Sequence, residues 1–294
     1  MSDTYRVQQQ KAASLGWLAC VGLLTMDAAI EDVRPTTRGA IAAVRRGLEL
    51  TRAGAGAEEI TSKGGRDLVT ATDIAVEDEI RRVVGDASPH PVVGEERGGE
   101  APPDGSAYWL LDPICGTRNF ASGIPLYCVN LALVEGDRIT VAVVGDASVD
   151  EIQFAEQGRG AWATSRKGHR RLATSGQNQT IVVESGHATG ARREHSARFA
   201  QDAIRADRWD IRNLSSTLSL PYVSAGRVAA YVLFSASALH AGAGTLLVAE
   251  AGGTVSDIEG EPWTLESDSV LASATPALHR DLIGMVHSAA RSAG

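Results

Sequence analysis

The run Tyr108 to Phe120, YWLLDPICGTRNF, constrains the fold more than any other part of the chain. Tyr108 to Leu111 is an apolar stretch of strand length, and Asp112 follows it directly. The Gly116-Thr117 pair after it can open a helix. A strand, an acid, small residues and then a helix start form a common frame for a phosphate or metal site. Such a frame implies layered α/β packing, in which a strand delivers the carboxylate and a helix turns away from it. Cys115 stands in the middle of the motif, where a hard-cation site has no need of sulfur.

Other carboxylates end apolar runs in the same way. Asp73 follows LVTAT, and Glu95 and Glu96 follow VVG. Several such groups projecting from sheet edges or helix starts suit a hard divalent cation such as Mg²⁺. Apolar spacing predicts helices over Arg34–Arg52, Asp73–Val84, Leu214–Ala225, Ala241–Ala251 and Pro276–Ala290. Val129–Val134 and Ile139–Val144 flank EGDR as a hairpin, and Glu151–Ala155 and Ala161–Ala163 flank another turn. After Thr180 strands and helices alternate. The expected organisation is a helical extension over 1–33, an α+β half over 34–175 carrying the motifs, and an α/β half over 176–294. The two halves are expected to form one catalytic unit.

With 294 residues the chain can bury a large core, and a net charge of −8 with no Lys/Arg cluster speaks against nucleic acid as a partner. Arg192 to Arg198, RREHSAR, reads as a solvated helix face. Cys20, Cys115 and Cys128 give neither a disulfide framework nor a CxxC pattern, so a reducing, cytoplasmic setting is expected. Ala12 to Met26 is apolar but too short and too interrupted to span a bilayer. It reads as an N-terminal helix, with no membrane partner implied, and Met26 could itself serve as a start. Cys128, Trp109 and Trp162 read as core. His169 and His195 read as solvated, while His187 could line a site.

DLVTATD, GEE, DPICGTRNF and AEAGGTVSD occur in the order and at roughly the spacing of motifs in the inositol monophosphatase superfamily, which the chain resembles from about residue 34 to 290. That resemblance implies an α-β-α-β-α sandwich and a small-molecule substrate, and it makes a homodimer the expected assembly. By position it implies that Glu95, Asp112 and the Ile114 carbonyl hold a first metal, and that Asp73 and Thr117 orient an attacking water. It further implies that the N–H groups of Gly116 and Thr117 hold a phosphate, with Lys63 as a basic residue nearby.

The departures from the family pattern cluster. Cys115 stands where the family has the second Asp of D-P-[IL]-D-G-T, and Leu239-His240 where it has W-D. These two aspartates are the family's ligands for a second metal. Leu233 replaces an acidic residue that contacts substrate hydroxyls, which points away from inositol phosphate. Three readings stay open. The favoured one makes Cys115 a nucleophile with its pKa lowered by a helix N-terminus, and His240 its base. Asp112 would orient the imidazole, and the Gly116 and Thr117 N–H groups would form an oxyanion hole. It predicts hydrolysis or transfer of an acyl group (thioester, ester or amide) with no required cofactor. The alternative is a phosphomonoesterase dependent on Mg²⁺ or Zn²⁺ that acts on a non-inositol metabolite. The third reading is a non-catalytic binding protein.

Overall fold

The computed structural model describes residues 33–54, 60–64 and 67–291, so the expected N-terminal helix and Cys20 lie outside the described residues. The chain runs through α1 (Pro35–Gly54), β1 (Ile60–Gly64), β2 (Asp67–Thr70), α2 (Ala71–Ala87), β3 (Val92–Gly94), β4 (Tyr108–Cys115) and α3 (Thr117–Ala121). Five strands follow: β5 (Cys128–Glu135), β6 (Arg138–Asp146), β7 (Glu151–Glu156), β8 (Ala161–Ser165) and β9 (Gly168–Arg171). The remainder is β10 (Thr180–Glu184), α4 (Gly190–Ala206), β11 (Asp210–Arg212), α5 (Ser219–Ser224), β12 (Ala230–Leu233), α6 (Ala238–Glu250), β13 (Thr254–Ser256), β14 (Val270–Ser273) and α7 (Pro276–Arg291).

One sheet has seven strands in the order β3 to β9, antiparallel except for the parallel β3–β4 pair. A second has the order β11-β10-β12-β14-β13, in which β10 runs parallel to both neighbours. Strand side chains alternate between faces. Trp109, Leu111, Val129, Leu131 and Val143 therefore point one way, onto Ile41, Val44 and Leu48 of α1 and Val76 and Ile80 of α2. From the same strands Leu110, Ala132 and Val144 point the other way, onto Ala243, Leu246 and Leu247 of α6. The opposite side of α6, with Ala241 and Val248, and Leu220 and Val223 of α5, packs on Val182, Tyr231 and Val270 of the second sheet. Phe199 of α4 and Leu282 and Val286 of α7 cover that sheet's outer face. The layers are thus α1/α2, sheet, α5/α6, sheet, α4/α7, as the resemblance implied. Because α6 is apolar all round it can serve both sheets. It approaches α5 so closely that a Cβ on Gly244 would lie 2.5 Å from Leu220.

Three local differences from the expected elements matter for the site. The strand beginning YWLL continues to Cys115, with an irregular register against β5 between Asp112 and Cys115. Pro113 has no N–H to give to the ladder at that point. The helix expected over Leu214–Ala225 is confined to Ser219–Ser224. Ser215 has a positive φ of 54°, which no helix accommodates, and Ser216 bonds sideways to the Cys115 carbonyl at 2.8 Å. The last helix pair is reached through α6, which begins at Ala238 and so places His240 in its first turn. Among the described residues no helix is long and apolar enough to cross a membrane.

Because Leu247 is fully buried in the central layer, Leu247→Ala is expected to cost ~2–5 kcal/mol in urea unfolding. Ile204→Ala, on an exposed face of α4, is expected to stay within ~0.5 kcal/mol.

Candidate functional site

A cleft of about 530 Å³ opens where β4, the residues after β10, the loop before α5 and the start of α6 meet. Asp112 lies at its base, fully buried. One oxygen, Oδ2, is 2.8 Å from His240 Nδ1, while Oδ1 is buried without a hydrogen-bond partner. Glu95 enters from the turn after β3, with its N–H bonded to the Leu111 carbonyl and its Oε2 3.9 Å from His240 Nδ1. Buried Glu77 of α2 fixes that turn: it accepts the Glu96 N–H at 2.7 Å, the Arg97 N–H at 3.0 Å and Arg81 Nε at 2.9 Å. Gly94 leaves room for this carboxylate, since a Cβ there would lie 2.1 Å from Glu77 Oε1.

Thr117 and Asp73 form the second element of the site. Asp73 sits in the first turn of α2, in a capping box with Thr70, whose N–H and hydroxyl donate to Oδ2 at 2.9 and 2.5 Å. The Thr117 hydroxyl lies 3.4 Å from Asp73 Oδ1 and 3.0 Å from the Ile114 carbonyl. Burial pushes Asp73 up to about 6, against the Thr70 hydrogen bonds that lower it. Gly116, with φ of 104°, turns the chain between β4 and α3. A side chain there would be strained and would also meet Leu126 O at 2.9 Å.

Ligand atoms of Asp112, Cys115 and His240 all lie within 4.8 Å of one another. The closeness of Cys115 and His240 follows the expectation, but their electrostatics do not. The Cys115 thiol is pushed well above its ordinary value by its contact with Cys128, by burial and by the Asp112 charge. Helix α3 has only five residues and starts beyond Gly116, so it offers the sulfur little dipole. Burial disfavours charge on His240, yet the Asp112 bond and the charges around it raise its pKa to about 10. Thiol and imidazole are therefore both protonated near neutral pH, the reverse of a nucleophile and its base.

The residues present suit a divalent cation. Glu95, Asp112 and the Ile114 carbonyl all line the cleft and are hard oxygen donors. The unpartnered Asp112 Oδ1 is a buried anionic oxygen that a cation would satisfy. Leu233, at the end of β12, and His187 also line the cleft. Lys63 belongs to β1, and its side chain lies outside the described residues. Cys128 and Trp109 are core, as expected, but His195 is tied to Val286 O and packs on Phe234 rather than being solvated.

Sequence reasoning missed four supports: Glu77, Asn130, Glu184 and Thr217. Asn130 Nδ2 donates to Thr217 Oγ1 at 3.1 Å and to the His240 carbonyl at 3.2 Å. Thr217 in turn donates to Cys115 Sγ from its hydroxyl at 2.8 Å and its N–H at 3.4 Å. Glu184 accepts the Leu214 N–H at 3.0 Å and is 3.3 Å from the Tyr231 hydroxyl, holding the loop that carries Thr217. A lone Asn within the apolar run CVNLALV was the available signal for Asn130.

A sequence model of the inositol monophosphatase family matches residues 32–291. An inositol-1-monophosphatase from Mesorhizobium japonicum is 34% identical over 219 residues, covering 73% of this chain and 81% of that protein. The Nus factor SuhB of Haemophilus influenzae is 33% identical, with 73% and 81% covered. Among solved structures, an IMPase from Thermotoga maritima superposes with a TM-score of 0.76 at 27% identity, over 86% of this chain and 97% of that one. The chain belongs to the inositol monophosphatase family.

This membership overturns the expectation of Cys-His acyl transfer without a cofactor. Relatives that align over most of the chain are named inositol-1-monophosphatases, and the thiol and imidazole are poised the wrong way for nucleophilic attack.

Glu184 supplies a pH test of the loop. Burial raises its pKa from 4.5 to about 6 in the folded state. Its protonated form is thus favoured by folding, and the associated stability, about 2 kcal/mol, is complete below pH ~4.5 and lost as pH rises through ~6. Urea unfolding followed from pH 4 to 7.5 is expected to include that decline, and Glu184→Gln is expected to lessen it by about 2 kcal/mol while the share from Asp73, also raised to about 6, stays.

Proposed function

We propose that the protein is a divalent-metal-dependent phosphomonoesterase acting on a small phosphorylated metabolite other than inositol phosphate. The observation that carries this reading is the Asp112 carboxylate, fully buried with Oδ1 unpartnered, in a cleft that also holds Glu95, Ile114 and Thr117. The names of the relatives support the same chemistry. Glu95, Asp112 and the Ile114 carbonyl would hold the cation, Mg²⁺ in the manner of the family or Zn²⁺. When bound, it supplies charge neutralisation at the phosphoryl oxygens and Lewis-acid activation.

The chain's own residues do the rest. The Thr117 hydroxyl, 3.4 Å from Asp73 Oδ1, is placed to orient an attacking water. Asp73, with a pKa of about 6, can take up a proton near neutral pH through that hydroxyl. The N–H groups of Gly116 and Thr117 bind phosphate oxygens as individual donors, since α3 is too short to add much dipole. Leu233 gives the cleft an apolar wall where a polyol would need an acceptor, and so disfavours inositol. Assembly as a homodimer in the cytoplasm belongs to the same reading.

The test is phosphate release from a panel of sugar, polyol and aromatic phosphates with Mg²⁺ or Zn²⁺, before and after chelation. Activity is expected to vanish with chelator, to be lower on inositol 1-phosphate than on the best substrate, and to fall ~10²–10⁴-fold in Thr117→Val. No release with either metal from any of the panel would overturn the reading.

A further inference from the structure

The hard oxygen donors account for one part of the cleft and leave Cys115 and His240 without a task. The pair nevertheless forms a built cluster. Asp112, Cys115 and His240 present one oxygen, one sulfur and one nitrogen with mutual separations inside 4.8 Å. Asp112 is fully buried. The sulfur accepts two hydrogen bonds from a single residue, the Thr217 hydroxyl at 2.8 Å and its N–H at 3.4 Å. Asn130 orients that hydroxyl by donating to its oxygen at 3.1 Å, which leaves the Thr217 proton directed at sulfur. The same amide holds the His240 carbonyl at 3.2 Å, so one side chain sets both the sulfur's donors and the first turn of α6.

Two donors aimed at one sulfur are worth little to a neutral thiol, a weak acceptor. They are worth much more to a thiolate, whose charge they share. Both Thr217 donors are thus placed as a charged sulfur would use them, and a cation bound to that sulfur would supply the reason for it. Oxygen, sulfur and imidazole nitrogen are the donor types of zinc, and Mg²⁺ has no use for the last two. Three protein ligands lining a cleft would match a zinc site that also meets substrate.

We propose that Asp112, Cys115 and His240 form a zinc-selective site, with Asp112 shared between it and the oxygen ligands Glu95 and Ile114. The inference rests on the reading of the cleft as a divalent-metal site and names the metal that this half of it takes. On binding, the thiol proton and any imidazole proton leave to solvent, the sulfur and a ring nitrogen each donate a lone pair to the ion, and the Asp112–His240 hydrogen bond is exchanged for two bonds to the metal. Thr217 and Asn130 are positioning residues: they touch the sulfur and the α6 turn, and do not touch the ion.

The experiment uses the full chain stripped with a chelator and titrated with Co²⁺, zinc's spectroscopic stand-in, with no substrate present. A near-ultraviolet sulfur-to-cobalt charge-transfer band and the strong visible bands of four-coordinate cobalt are expected, both displaced by Zn²⁺ and neither by Mg²⁺ in excess. Cys115→Ser is expected to remove the charge-transfer band, and His240→Ala to lose four-coordinate binding, with circular dichroism reporting that each variant folds. Thr217→Val is expected to keep the band and weaken cobalt binding ~10–100-fold. The wild-type spectrum alone can overturn the proposal: weak, six-coordinate, oxygen-type bands without sulfur character, or displacement by Mg²⁺, would do so. Cobalt bound through sulfur with no phosphatase activity would leave this site standing and defeat the proposed reaction. Mg²⁺-dependent hydrolysis without the sulfur band would do the opposite.

Discussion

Asp112 is a carboxylate buried completely at the meeting of two sheets and a helix, and its two oxygens have unequal surroundings: Oδ2 faces His240 at 2.8 Å, and Oδ1 has no partner. Burying an anion costs several kcal/mol unless a charge or donors compensate it. His240 provides part of the compensation, and the compensation runs both ways, since the same contact raises the imidazole to about 10 despite its burial. The unpartnered oxygen marks where the remainder must come from. The layers around the cleft are arranged about this one group: β4 carries it, the turn after β3 brings Glu95 beside it, and α6 brings His240 over it.

The supporting shell consists of buried polar side chains whose bonding is nearly complete, as low-dielectric surroundings demand. Glu77 ties α2 to the Glu95–Glu96 turn through two backbone N–H groups. Glu184 ties β10 to the loop before α5, and Asn130 ties β5 to both that loop and α6. Each of these residues links elements distant in sequence, by 19 residues for Glu77 and Glu96 and 110 for Asn130 and His240. Through Asn130 the first sheet is joined both to the loop before α5 and to α6, the elements that close the cleft.

The fold was legible because its signals are local. Apolar runs either side of the turn residues EGDR mark β5 and β6, and 3.6-residue periodicity marks α1 and α7. Asp73, Glu95 and Asp112 stand out because each ends an apolar run, and Thr117 was reached through the resemblance of the motif to the family's. What stayed hidden depends on tertiary contact. Leu214 and Leu218 fit the apolar spacing of a helix, yet Ser215 turns back to Asn213 while Ser216 and Thr217 reach Cys115 and Cys128 on β4 and β5. Glu184 ends the strand TIVVE like any solvated terminus, and only the loop folded over it shows that it is buried. Proximity of Cys115 to His240 could be inferred from aligned positions. Their protonation could not, because it is set by Cys128, Asp112 and burial together.

That distinction decides what the pair means. A thiol beside an imidazole suggests a nucleophile only if the neighbourhood favours thiolate and neutral imidazole, or lets the proton pass between them. Here the nearest anion, Asp112, opposes thiolate formation and holds the proton on the ring, so adding a base to the thiol's surroundings does not activate it. Cations reverse the sign of every one of these effects: a positive ion at the centre of the cluster favours thiolate, releases the ring proton and relieves Asp112. The three side chains are mutually frustrated as an acid–base machine and mutually consistent as ligands. Two donors from Thr217 to the sulfur favour the second arrangement, and the softer donors at Cys115 and His240 are those a zinc site would use.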